Sequence, residues 1–175
     1  MRWRNWGRSA SSQPVRVASP KSVDEVVAIV RDAATRGLTV KAVGAGHSFT
    51  DIAATDGVLL HLDNLQGVIE ADQATKRARV RAGTRLWRLG PMLAEHGLAL
   101  QNMGDIDRQS IAGATSTGTH GTGIRLGGLA TQIVGATLVT ATGDLLRVDE
   151  SNRPELLPAV RLGLGALGIL VEVEL

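Results

Sequence analysis

From Gly104 to Gly128 the chain is dominated by glycine, serine and threonine and carries too few large apolar residues to pack a core by itself. Its densest part is Gln109-Ser110-Ile111-Ala112-Gly113-Ala114, followed by Thr115-Ser116-Thr117-Gly118-Thr119-His120-Gly121-Thr122-Gly123. Backbone amides and hydroxyls withdrawn from water need hydrogen-bond partners, and an extended phosphate-bearing or polycyclic ligand is one supply. A flexible linker is the plainer alternative. Ile111, Ile124 and the patterned strands on both sides oppose it and place the segment inside the fold.

The flanks carry the secondary-structure signals. Val15 to Val17 reads as a short strand closed by Pro20, and Ser22 with Glu25 forms a capping box that opens a helix. Val23, Val26, Val27 and Val30, then Ala33 and Ala34, recur at helical spacing, and Gly37 sits where a left-handed C-cap belongs. Thr39 to Val43 is a strand running into a loop at Gly44. Val58 to Leu62, Val68 to Glu70 and Ala78 to Ala82 are short alternating runs separated by polar turns, which suggest a small mixed or antiparallel sheet. A second helix starts at Thr84, with Leu86, Trp87, Leu89 and Leu93 on one face and Gly97 at its end. Ile133 to Thr140 and Leu145 to Val148 form a hairpin around Thr142, Gly143 and Asp144. A helix from about Pro154 to Leu167 precedes a last strand, Ile169 to Leu175. The chain stops inside that strand, so the expectation is a piece of a longer protein.

At 175 residues the chain suffices for one compact domain. With no cysteine, disulfides, thiolate metal sites and a cysteine nucleophile are excluded, and redox chemistry has to come from a bound cofactor. A formal charge of only +2 argues against nucleic acid as a partner, as does the lack of tyrosine and the single phenylalanine, since single-strand binders need stacking platforms. Met1 to Arg8 is basic and carries Trp3 and Trp6, but no apolar run of signal-peptide or membrane-span length follows, so a cytoplasmic protein is expected.

Two glycine motifs compete for a phosphate. Gly44-Ala45-Gly46-His47-Ser48-Phe49 follows a buried strand, where glycines permit positive φ and bring N–H groups close to an anion. Phe49 replaces the third glycine of the dinucleotide fingerprint, so a nicotinamide-type Rossmann site is not indicated, and an ordinary tight turn is the competing reading. Gly163-Leu164-Gly165-Ala166-Leu167-Gly168 matches that fingerprint letter for letter, but it ends a helix and leads into a strand, the reverse of the required order. These glycines read as close packing. His47 and His120 lie in glycine-rich loops, His61 in a strand and His96 at a helix end; no His/Asp/Glu spacing indicates a metal.

Taken together, Trp3 to Trp6 with Asn5, Val43 to Asp51, Gln101 to Asp105, Ser110 to Gly123 and Gly163 to Ile169 resemble the FAD-binding (PCMH-type) domain of the vanillyl-alcohol oxidase superfamily. The branch they resemble is that of the aldonolactone and alditol oxidases. The resemblance implies an α+β, two-lobed FAD domain with mixed or antiparallel sheets and flanking helices, lobe one about 10–70 and lobe two about 71–175, and a cap domain that is missing here. It implies FAD between the lobes and oxidation of an alcohol carbon of a sugar lactone or polyol by hydride transfer to flavin N5. In that pattern Gly44, Ala45, Gly46, His47, Ser48 and Phe49 form the pyrophosphate loop, and His47 matches the histidine that in many members bonds covalently to the flavin 8α-methyl. Gly104, Asp105, Ser110, Gly113, Ala114, Thr117, Gly118, Thr119, His120 and Gly121 would line the isoalloxazine and ribityl chain, and Ile169 would reach the adenine side through its backbone. Gly104 stands where the plant galactonolactone dehydrogenases, which the chain also resembles, carry alanine; the lost methyl opens a path for oxygen. No catalytic residue is assigned within the chain, because the family's substrate groups lie in the cap. A flavin-binding module without catalysis is the competing class, and a peptidoglycan-precursor reductase with a related FAD fold ranks third.

Overall fold

The computed structural model describes residues 2–175. A short hairpin, β1 (Trp3–Arg4) and β2 (Ser11–Ser12), opens the chain. Next come β3 (Arg16–Ala18), the helix α1 (Val23–Thr35), β4 (Val40–Val43) and β5 (Val58–His61). The order β3-β5-β4 is parallel throughout, so β5 is central and β4 is an edge. Val58, Leu59 and Leu60 are buried without alternation, as a strand covered on both faces requires. The expected grouping of this run with the two runs after it therefore does not hold. Arg77 to Arg81 alternates strictly and pairs elsewhere.

The capping box forms: Glu25 N–H donates to Ser22 Oγ at 3.1 Å, and Lys21 N–H donates to the Glu25 carboxylate at 2.8 Å. Gly37 takes φ +62°, with Gly37 N–H on Ala34 O and Leu38 N–H on Ala33 O, a Schellman ending.

The larger sheet comprises β6 (Val68–Asp72), β7 (Arg77–Arg81), β8 (Gly135–Val139), β9 (Leu145–Asp149) and β10 (Ile169–Glu174), antiparallel in the order β6-β7-β10-β8-β9. One face packs on α2 (Leu86–Ala94), α3 (Ile111–Ser116) and α4 (Leu157–Arg161) through Val80, Leu86, Leu89, Ile111, Leu138 and Val160. On the opposite face, Val139, Ile169 and Val171 join Val26, Val30 and Leu60 in a second core under α1. The two sheets thus meet where β10 begins.

Three local expectations change. Trp87 is exposed, stacked under the guanidinium groups of Arg88 and Arg108 rather than facing the core. Ile124 is wholly exposed and does not anchor the glycine segment; Ile111 and Ala114, buried in α3, do. The helix expected up to Leu167 is a 3-10 turn at Pro154–Leu156 followed by α4, ending at Arg161. Leu164 at φ +50°, Gly165 at +78° and Gly168 at +138° cannot continue a right-handed helix.

Away from this junction the charged face of the larger sheet ends in a staple. Arg147 donates to Asp149 at 2.9 Å and pairs with Glu174, while Asp149 also accepts Ser151 N–H at 2.9 Å and Asn152 N–H at 2.8 Å. Burial pushes the Asp149 carboxyl upward, but the hydrogen bonds from Arg147, Ser151 and Asn152 outweigh it and hold the group well below the usual carboxylate range. With the folded-state value depressed, this stabilisation is complete above the unfolded value and fades as pH falls below about 4. Asp149→Asn is expected to cost about 2 kcal/mol at pH 7. Urea unfolding of both proteins at pH 7 and pH 3 should show the gap narrowing at pH 3; a gap that is constant or grows contradicts this assignment.

Candidate functional site

β4 ends at Val43, and the chain turns through Gly44, Ala45, Gly46, His47 and Ser48 at the mouth of a cleft between the two sheets. Gly46 takes φ +67° and packs beside Trp3 and Asn5. The loop is held from outside by the amino-terminal hairpin. Asn5, itself buried, donates to Ser48 O at 2.8 Å and to Ser9 Oγ at 2.9 Å, and accepts Ala10 N–H at 3.0 Å. Trp6 N–H donates to Gly46 O at 2.8 Å, and Ser9 Oγ donates to Phe49 O at 2.7 Å. These bonds engage the carbonyls of Gly46, Ser48 and Phe49 and leave the loop's amides over. Among the described residues, the N–H groups of Ala45, Gly46, His47 and Ser48 donate to no protein acceptor. A run of consecutive unpaired amides on a concave wall is an anion-binding arrangement. His47 lines the same wall, with its ring edge-on to Trp6 at a centroid distance of 5.6 Å.

The facing wall is α3. Ser110 is its N-cap and accepts Gly113 N–H at 3.2 Å. The first amides of α3 are already spent, with Ile111 N–H on Thr84 O at 2.8 Å and Ala112 N–H on Ala82 O at 3.1 Å. The hydroxyls in this stretch turn inward in the same way. Thr115 Oγ1 donates to Ile111 O, Thr117 Oγ1 to Gly113 O, and Thr119 Oγ1 exchanges bonds with the Gln109 amide. Much of the segment that demanded outside partners thus supplies its own. Gly44 lies so close to Ser110 that an added β-carbon there would overlap Ser110 Oγ and stand 3.4 Å from Ser110 Cβ.

The third wall is the turn before β10: Leu164, Gly165, Gly168, Ile169 and Leu170 line the cleft. An added β-carbon at Gly168 would sit 3.0 Å from the Val139 carbonyl carbon, so this glycine serves close packing against β8, in keeping with the sequence reading, and one at Gly163 would sit 2.7 Å from Ala159 O; at Gly165, with φ +78°, an added β-carbon meets nothing within 4 Å, so the backbone turn and not packing is what glycine serves there.

Of the residues singled out from sequence, Gly44, Ala45, Gly46, His47, Ser48, Ser110, Gly113, Thr117 and Ile169 are brought together around one cleft. Ala114 is buried behind α3, and Phe49 is exposed against Trp6. Gly104 and Gly121 lie in a neighbouring pair of segments: an added β-carbon at Gly104 would stand 2.9 Å from Thr119 Cγ2 and 3.2 Å from His120 O. The Gly118–Gly121 stretch stands beside the cleft rather than on its wall, and His120 Nδ1 bonds Gly121 O at 2.9 Å. Asp105 is exposed. Ser116, which the glycine, serine and threonine run contained without a role of its own, lines the cleft, as do Lys41, Asp63 (paired with Arg85) and Gly83, which sequence reasoning passed over. Gly83 carried a signal, being the glycine that closes an alternating strand just before a helix; the others carried none.

No helix among the described residues is long and apolar enough to cross a membrane. The chain matches the family model described as "FAD binding domain" over residues 14–149. It is 46% identical over 173 residues to the L-gulono-1,4-lactone dehydrogenase of Mycobacterium tuberculosis, covering 99% of this chain and 40% of that protein. To the L-gulonolactone oxidase of Bos taurus it is 41% identical over 175 residues, 100% of this chain and 40% of that protein. The structure of xylooligosaccharide oxidase from Myceliophthora thermophila C1 in complex with xylobiose superposes with a TM-score of 0.87 at 26% identity, over 98% of this chain and 37% of that one. The chain spans about two fifths of the length of the curated relatives it matches.

Proposed function

This chain belongs to the family of FAD binding domains, and from that premise we propose that it is the cofactor-holding part of an oxidoreductase acting on an alcohol carbon of a sugar lactone or polyol. The observation that carries the site assignment is the run of unpaired amides from Ala45 to Ser48, facing the N-cap of α3 across the cleft. A diphosphate fits that run: the glycines keep the loop's backbone uncovered, and Asn5 and Trp6 pin its carbonyls on the far side. FAD, when bound, supplies the two-electron acceptor that a chain without cysteine lacks. The chain's own share is to hold and orient it. The loop amides take the phosphates, Ser110 keeps Gly44 in register, and His47, which lines the cleft and whose ring has no hydrogen bond among the described residues, is the tether to the flavin. The names of the two relatives, a lactone dehydrogenase and a lactone oxidase, support the lactone class of substrate.

The visible spectrum of the purified chain, followed by acid precipitation, tests this. Yellow colour is expected in the pellet, and in the supernatant for His47→Ala. Colour released from the unaltered chain removes the tether and leaves the FAD site standing. A chain that takes up no FAD at all overturns the reading. A second reading is a flavin carrier without turnover of its own. Anaerobic addition of L-gulono-1,4-lactone separates the two: bleaching of the flavin band supports the oxidoreductase, and an unchanged band supports the carrier.

A further inference from the structure

Between Thr119 and Leu129 the chain leaves the fold and returns to the point it left: Leu129 N–H donates to Thr119 O at 2.9 Å, and the Asn102 amide donates to Gly127 O at 3.1 Å. The base of the loop is thus closed on itself, as in a compact Ω-type excursion. From Thr122 to Gly127 every residue is exposed, Ile124 wholly so, and Leu126 N–H on Gly123 O is the single backbone hydrogen bond within that run. Arg125 stands at the tip. Among the described residues its N–H and carbonyl take part in no backbone hydrogen bond, and its guanidinium in no ion pair. Basic residues exposed on other loops are tied down: Arg8 N–H donates to Asn5 O at 3.0 Å, Arg108 O accepts the Arg85 guanidinium at 3.1 Å, and Arg153 is followed by Pro154. The fold also closes over this loop from both sides. Residues 126–175 carry β8, β9 and β10, yet β10 pairs with β7 from before the loop, Glu172 with Arg81, Val173 with Val80 and Glu174 with Arg79. The larger core is shared in the same way, Leu86 and Ile111 meeting Leu138 and Val160.

We propose that the Arg125–Leu126 peptide bond is a modification site, cut by an endoprotease of trypsin-type specificity, and that the nicked chain persists as a two-piece fold. Such a protease places a basic side chain in a pocket that carries a carboxylate, and it needs the chain on either side drawn out into its groove. An exposed loop with glycines at Gly121, Gly123, Gly127 and Gly128 meets that need in the folded state, whereas a strand or helix meets it only by unfolding. Water adds across the bond, leaving a carboxylate on Arg125 and an ammonium on Leu126, and nothing else is consumed. The hydrogen bonds at the base of the loop lie outside the cut, so the new ends stay beside each other and the β7–β10 ladder is undisturbed.

The test is brief digestion of the 175-residue chain with a trace of trypsin, followed by mass spectrometry and size-exclusion chromatography. Pieces 1–125 and 126–175 are expected as the first internal products, eluting together in native buffer and apart in urea, and Arg125→Gln should remove the pair. Because the loop is reached without unfolding, the less stable Asp149→Asn chain should be nicked at the same rate as the parent. A cut that required global unfolding would instead speed up about thirtyfold in that variant, in step with its larger unfolded fraction. A first internal cut at another basic residue, pieces that separate without denaturant, or a rate that follows stability each overturns the proposal.

Discussion

Gly83→Ala is expected to lower stability by about 3 kcal/mol, which in a domain of this size is a fall in Tm of about 6–12 °C. Gly83 lies where the end of β7 crosses the turn after β5, and its N–H donates to Leu65 O at 3.0 Å. A β-carbon added there would overlap the Leu62 carbonyl oxygen and stand 2.7 Å from the Leu62 carbonyl carbon and 2.8 Å from Leu65 O. All of these are backbone atoms of a turn anchored by the buried Leu62 and Leu65, so no side chain can swing aside to relieve the overlap. The substitution forces apart the two sheets whose junction forms the cleft. Gly90→Ala provides the control. Gly90 sits inside α2, where an added methyl meets nothing within 4 Å. There alanine's better helix propensity is opposed by the ring of Pro91, which disfavours the α conformation for a preceding residue with a β-carbon, so stability should change by less than about 1 kcal/mol. Thermal unfolding of the two variants decides the matter. Equal effects, or a Gly83→Ala protein that melts with the parent, would show that the crossing has slack.

Gly44→Ala is the change expected to harm cofactor loading most while leaving the rest of the fold in place. The new methyl competes with Ser110 Oγ, which is fixed by accepting the Gly113 N–H. Either the loop withdraws from α3 or the serine abandons its cap. Withdrawal moves the unpaired amides of Ala45 to Ser48 away from the facing wall, and FAD affinity should fall at least about tenfold, since small misplacements of positioned donors are costly. Loss of the cap alone costs about 1 kcal/mol of stability. The mechanism is separable with a second variant. Ser110→Ala removes the oxygen that clashes and leaves Ser110 Cβ at 3.4 Å, an ordinary contact. Gly44→Ala combined with Ser110→Ala should therefore bind FAD better than Gly44→Ala alone, a coupling that a double-mutant cycle measures directly. If the two losses simply add, the contact is not what makes glycine necessary at this position.

The comparisons bear out the FAD-domain reading and the kinship with aldonolactone oxidases, and some of the residues that carried that resemblance, Gly44 to Ser48, Gly113, Thr117 and Ile169 among them, line the cleft. The loop at Gly44 was legible because its glycines follow directly on a strand. What misled was the glycine, serine and threonine run. It reads as polar groups awaiting a ligand, yet α3 caps itself with Ser110, spends its first amides on Thr84 and Ala82, and anchors itself through Ile111 rather than Ile124. Composition shows how many donors and acceptors a segment has, but not which of them find each other.

By itself the sequence determined the elements set by local periodicity and capping: α1 from its capping box to Gly37, the β8–β9 hairpin, β7 by alternation, and the family to which the chain belongs. Only the tertiary structure decided that β5 joins a separate parallel sheet and that the helix after Pro154 stops at Arg161. It also decided that Lys41 and Gly83 line the same cleft as His47. Hydrophobic periodicity and caps act over a few residues and are written in neighbouring letters. Strand partnership, close backbone crossings and the placing of a lone charge depend on residues far apart in the chain, which meet only when the two cores pack.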